Sequence, residues 1–251
     1  NNGTTYASWN WKAGGSASSN SNGSITSSIS ASSNSGFSIV SYSGTSSNGT
    51  IGHGLDSAPK MVIVKALASG RDWMTYHKSV GATKYLFLNA TDASASSSGI
   101  WNDTDPTSTV VHLGSSNSVN GNGINYIAYC FAEKQGYSKI SSFVGNGNAS
   151  GTYVHLGFSP SFVLYKVSSA ASDWYIQDNK RLTYNVNNTR LEANNSNTEV
   201  TGAADSIDML ANGFKLRHTS SSFNASGATY IFMAFASNPL VTSTGVPATA
   251  R

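Results

Sequence analysis

From residue 36 onward, Val, Ile, Tyr, Phe and Trp recur in short runs bounded by Gly, Asn and Ser. That is the pattern of strands separated by turns, and no stretch of 10 residues carries a convincing helical periodicity. Two segments, YIAYCFA (Tyr126 to Ala132) and YIFMAFA (Tyr230 to Ala236), are apolar at nearly every position. Successive strand side chains point to opposite faces, so Tyr126, Ala128 and Cys130 share one face and Ile127, Tyr129 and Phe131 the other. A strand with two apolar faces belongs in the middle of a layered sheet stack.

The pattern repeats. GFSIVSYSG, starting at Gly36, resembles GYSKISSFVG, starting at Gly136. APKMVIVK (Ala58 to Lys65) matches SPSFVLYK (Ser159 to Lys166), which places Pro59 on Pro160 and Lys65 on Lys166, 101 positions apart. Asp72-Trp73 meets Asp173-Trp174 at the same separation of 101, and the closing segments lie 104 apart, so insertions fall in the loops between. A fixed period of this length marks tandem units. The expected fold is all-β: two tandem homologous β-sandwich domains, jelly-roll-like, over residues 36–134 and 135–239.

The flanks read differently. YASWNWKA from Tyr6 carries Tyr6, Trp9 and Trp11 at the spacing of Tyr126, Tyr129 and Phe131, with no opening segment before it. Residues 1–13 are therefore expected to be the last strand of an upstream domain, with pairing into one of the two repeats as the alternative. Residues 14–35 (GGSASSNSNGSITSSISASSNS) have the composition of a flexible linker. Residues 240–251, the end of PLVTSTGVPATAR, lack periodicity and are expected to run extended along a neighbouring domain or subunit.

Composition narrows the function. Only 11% of the residues are charged, against roughly 25% in an average soluble domain, so the polar surface comes from Ser, Asn, Thr and Gly. The net charge is +3, but Lys and Arg are scattered singly, which argues against nucleic acid as a partner. No apolar stretch approaches the roughly 20 residues that span a bilayer, so membrane insertion is not expected. The single cysteine, Cys130, allows no intrachain disulfide and no CxxC metal knuckle. It aligns with Ala234 and Asn10, as a small buried side chain does.

Candidate chemistry is sparse. His53 and His155 occupy Gly-flanked turns, while His77, His112 and His218 stand alone, so no zinc constellation forms. Asp72-Trp73 and Asp173-Trp174 suit a sugar site, an aromatic face beside a hydrogen-bonding carboxylate. The competing reading, which is preferred, puts each Trp in its core and each Asp as an Asx-type cap on the preceding Gly- and Ser-rich turn. Trp101, in GIWNDTDP with Asp103 and Asp105, is the better exposed aromatic candidate because the second repeat lacks it. The DxD pair alone is weak evidence for calcium. Glycoside hydrolysis needs two facing carboxylates, and only the Asp72/Asp173 position is shared, leaving unmatched acids such as Asp105, Glu133 and Asp208. No GxSxG, HExxH or P-loop is present, so a non-enzymatic protein without cofactor or metal is expected.

The segments YASWNWKAGG, NGSITSSISASSNSGFSIVSYSG, GTIGHGLDSAPKMVIVK, RDWMTYHKSVGATKYLFLN, YIAYCFAE, YSKISSFVGNG, LANGFKLR and MAFASNPLVTSTGVPATAR cover nearly the whole chain. In them the chain resembles a family of uncharacterised repeat domains in structural proteins of marine tailed phages, especially cyanophages. The resemblance implies a virion-surface location in a tail fibre or appendage, often after a concanavalin-like lectin domain ending in a strand similar to YASWNWKAGG. It also implies other virion subunits as partners, with a homo-oligomer, by default a trimer, at a fibre tip. Recognition of a host surface glycan or protein receptor is the leading expectation. A purely structural decoration or fibre spacer is the alternative, and a polysaccharide-degrading spike is the third. No catalytic residue comes with the resemblance.

Overall fold

The computed structural model describes residue 3 and residues 5–67, 70–202 and 206–237. The first half contributes β1 (Ser18–Asn20), β2 (Ser27–Ser32), β3 (Phe37–Ser43), β4 (Gly49–Gly52), β5 (Met61–Ala66), β6 (Met74–His77), β7 (Lys84–Phe87), β8 (Ala95–Ser96), the one-turn helix α1 (Ser98–Trp101), β9 (Val110–Leu113) and β10 (Asn125–Phe131). The second contributes β11 (Ser138–Val144), β12 (Tyr153–His155), β13 (Pro160–Val167), β14 (Tyr175–Asp178), β15 (Thr189–Glu192), β16 (Val200–Thr201), β17 (Ile207–Leu210), β18 (Gly213–Leu216), the one-turn helix α2 (Ser221–Asn224) and β19 (Thr229–Ala236).

The all-β fold expected from the pattern is what forms, built from antiparallel sheets. One broad sheet has the order β1-β2-β3-β10-β5-β6-β7-β8 and the other β11-β19-β13-β14-β15-β16. Narrow sheets, β4-β9 and β12-β18-β17, cover their outer faces. The two closing segments are central strands: β10 lies between β3 and β5, and β19 between β11 and β13. Their alternation sorts three cores. Tyr126, Ala128 and Cys130 face the first outer core with Ile51, Val111 and Trp101, and Tyr230, Phe232 and Ala234 face the second with Val154, Phe214 and Phe223. The remaining faces meet each other: Phe131, Met61 and Leu86 of the first broad sheet pack on Phe235, Met233 and Leu164 of the second.

This shared middle core is the main departure from two independent sandwiches. A sandwich closed on itself needs only one apolar face per strand, whereas β19 buries both and β10 buries one and half-buries the other, and each fully buried large apolar side chain contributes about 1.5–3 kcal/mol.

Residues 14–35 are not a linker. They contain β1 and β2, and β2 extends the sheet through pairs such as Ile29↔Val40 and Ser27↔Tyr42. Ile25 and Ile29 enter the first outer core at 7% and 9% exposure, an every-second-residue signal that the serines around them hide. Residues 5–13 form no strand, and Trp9 and Trp11 plug the rim of the middle core. Trp11 meets Phe131, Phe162 and Phe235 at ring distances of 5.4–5.9 Å. The segment is thus packed on this fold. Residues 240–251 lie outside the described residues.

The halves share local bonding. Tyr126 Oη donates to Asn117 O (2.6 Å) and accepts from Gly121 N (2.7 Å), while Tyr230 Oη donates to Ser221 O (2.6 Å) and accepts from Ala225 N (2.9 Å). Asn120 and Asn224 each accept a loop N–H at 2.9 Å, from Thr45 and Asn146 respectively.

Candidate functional site

The two Asp-Trp dipeptides sit at the entry to β6 and β14, and each is held by an asparagine. Asn89 accepts from Trp73 N (2.8 Å) and donates to Asp72 (2.9 Å). Asn194 accepts from Trp174 N and donates to Asp173, both at 2.7 Å. The capping oxygen therefore belongs to the asparagine, and the aspartate orients that amide instead of capping the turn itself. Lys65 and Lys166 brace the same corner by donating to the carbonyls of Arg71 and Ser172. Lys166 is fully buried, and its ammonium also bonds Thr91 O across the halves at 2.8 Å. Burial pulls its pKa down to about 8 against the nearby Asp173 and Asp92 charges.

Neither indole offers an open sugar platform. Trp174 is 1% exposed and its Nε1 donates to Phe87 O at 2.8 Å. Trp73 is half-buried and stacked on Tyr129, 6.3 Å between centroids. The corner is a seam between the halves.

Trp101 corrects a specific expectation. It is 1% exposed, the last residue of α1, packed edge-on to Tyr76 at 6.0 Å. Ser97 caps the helix by accepting from Gly99 N, and Asn102 ends it in the left-handed region, which turns the indole inward. Asp105 is bound to Tyr76 Oη (2.8 Å) and Lys78. Burial raises its carboxyl pKa, but the bonds from Lys78 and Tyr76 outweigh that and hold it below the usual carboxylate range. Asp103 points to solvent from a second left-handed residue (φ 47°). The loop thus does not gather Trp101, Asp103 and Asp105 into one surface.

The histidines are structural or isolated. His53 is buried between Thr107 O and Leu55 N, whereas His155 is exposed on β12. His77 is buried against Phe232 O (3.2 Å) and Ser79 N (3.2 Å), and burial pushes its pKa down to about 4. Burial likewise pushes the Cys130 thiol up to about 12. Among the described residues, no group of three or more His, Cys, Asp or Glu is placed to hold a metal ion.

Two hollows remain. An open groove of about 550 Å³ runs over the end of the first broad sheet, lined by Ser19, Thr26, Ser28, Ser41, Leu67 and Asn125. A more closed hollow of about 200 Å³ lies under the β14–β15 loop, lined by Ser159, Asn179, Thr183, Tyr184, Asn185 and Asn187. Sequence reasoning missed the second one. Its signal was present: the bonded Trp73–Asn89 pair spans 16 positions and the matching Trp174–Asn194 pair 20, so the second half carries four extra residues there.

A family model described as "Domain of unknown function (DUF7483)" matches residues 1–239. The chain belongs to this family. The match takes in the Trp9/Trp11 segment as well as both broad sheets. No curated protein and no solved structure matches the chain.

Proposed function

We propose that the chain is a non-enzymatic structural module of a virion surface, a fibre spacer or decoration built from two copies of one β-unit stacked back to back. The virion assignment rests on the resemblance of its motifs to phage appendage repeats. The observation that carries the structural role is the fate of the nominated side chains. Trp101 and Trp174 are core, Asp72 and Asp173 orient asparagine caps, and Asp105, Glu133 and Asp208 are engaged by Lys78, Lys60 and Arg217. Side chains spent on internal contacts make a stiff unit, as a load-transmitting spacer needs.

Such a module works by assembly with other virion subunits, with a homotrimer as the first expectation. Sedimentation of the purified chain over a concentration series, with cross-linking to virion proteins, tests this. A defined oligomer or a specific virion contact is the expected outcome; a chain that stays monomeric and captures no virion protein refutes the role. A second reading, recognition of a host surface glycan, is favoured by the polar hollow under the β14–β15 loop.

A further inference from the structure

The two halves differ most informatively where they should match. The β6–β7 turn, residues 78–83, is closed by short-range bonds, Val80 and Gly81 N both donating to His77 O, and by the Lys78–Asp105 ion pair. Its counterpart, residues 179–188, holds the four extra residues and folds over a hollow instead of closing on itself. Loop insertions on a rigid scaffold are where binding sites are added to a fold.

The hollow's framework is preorganised. Asp178 accepts from Lys180 N, Arg181 N and the Arg181 guanidinium at 2.7–2.9 Å, which fixes the start of the loop. Asn185 exchanges two 2.9 Å bonds with the backbone of Met209, and Asn187, 1% exposed, donates to Asp178 O at 2.6 Å. These bonds leave the exposed side chains of Thr183 and Tyr184 for a ligand. Asn179 donates to Ser237 Oγ (2.9 Å) and Pro160 O (3.3 Å), yet its carboxamide oxygen, fully buried, has no hydrogen-bond partner among the described residues.

The lining selects the ligand class. Every residue lining the hollow is uncharged, so neither an anion nor a cation is favoured there. It provides amides and hydroxyls, with the Tyr184 ring, 69% exposed, at its lip. Amide and hydroxyl groups beside an exposed aromatic face suit a ring that bears several hydroxyls and one apolar C–H face. We infer that the hollow beneath residues 179–188 binds one neutral sugar ring of a glycan, with ring hydroxyls bonding the exposed Thr183 hydroxyl and the Tyr184 ring covering an apolar face. This goes beyond the spacer role, and it adds to that role a specific contact confined to the second half.

The test is ligand-observed NMR titration of the full chain with glucose, galactose, mannose and N-acetylglucosamine, with glucuronate as a charged control. At least one neutral sugar should bind saturably with a dissociation constant on the order of 1 mM. Tyr184→Ala should weaken it at least about fivefold with an unchanged melting temperature, Thr183→Ala should weaken it as well, and Trp73→Ala should bind as wild type does. The inference is overturned if no neutral sugar saturates, if binding survives Tyr184→Ala, or if glucuronate is preferred. Any of these results leaves the sedimentation test of the spacer role untouched.

Discussion

The indole Nε1 of Trp174 donates to the carbonyl oxygen of Phe87 at 2.8 Å, so the buried aromatic of the second half completes the backbone bonding of the first. Around it Lys166 bonds Thr91 O, Ser94 N donates to Ser168 O and Ser172 N to Thr91 O, all between halves. These hydrogen bonds, together with the shared middle core, make the halves one cooperative unit. Trp174→Phe keeps most of the ring but strands Phe87 O, and should cost about 1–3 kcal/mol. Trp174→Ala should cost about 3–5 kcal/mol. Urea titration followed by both fluorescence and far-UV circular dichroism should show one shared transition, and separate transitions for the two halves would disprove the coupling.

Trp101 should behave as a core residue. Trp101→Ala should lower stability by about 3–5 kcal/mol. Asp103→Ala, at an exposed position, should stay within about 0.5 kcal/mol. Thermal melts of the two variants decide between this and a surface role, for which Trp101→Ala would melt like wild type.

His77 sets a pH dependence. Its folded pKa, about 4, lies below the ordinary 6.5 because of burial, so between pH 6.5 and 4 the unfolded chain takes up a proton that the folded chain refuses. Its contribution is thus complete above pH 6.5 and falls away as the pH drops through this window, by on the order of 3 kcal/mol in all. His77→Gln should flatten that part of the stability curve. Denaturant midpoints at pH 7, 5.5 and 4 on both proteins check it, and parallel curves would contradict it.

Cys130 should be inert while the chain is folded. It is fully buried in β10 and its thiol is pushed up to about 12. A disulfide reagent at pH 8 should therefore label it only after denaturant is added. Cys130→Ala, which installs the residue found at Ala234, should cost no more than about 1–2 kcal/mol.

The parts of the fold that were legible share one property: the signal is local and strong. The apolar alternation of Tyr126–Phe131 and Tyr230–Ala236 identified two central strands, and the Asp-Trp register located two equivalent corners. The strand β2 was masked because Ser dominates its composition and only Ile29, with Ile25 just before the strand, marks the buried side. The site was less legible still. Trp101 looked exposed because the second repeat lacks it, and nothing local shows that α1 turns it toward Tyr76.

The sequence by itself determined the fold class and the matching segments of the two halves, because strand period and residue type act over a few positions. Tertiary structure alone decided that the broad sheets share a core, that Trp9 and Trp11 seal its rim, and that four extra residues raise a hollow over Asn179. Those outcomes depend on which apolar face meets which, and on which polar atoms find partners far along the chain. Phe87 O and Trp174 Nε1 stand 87 positions apart, and no local pattern pairs them.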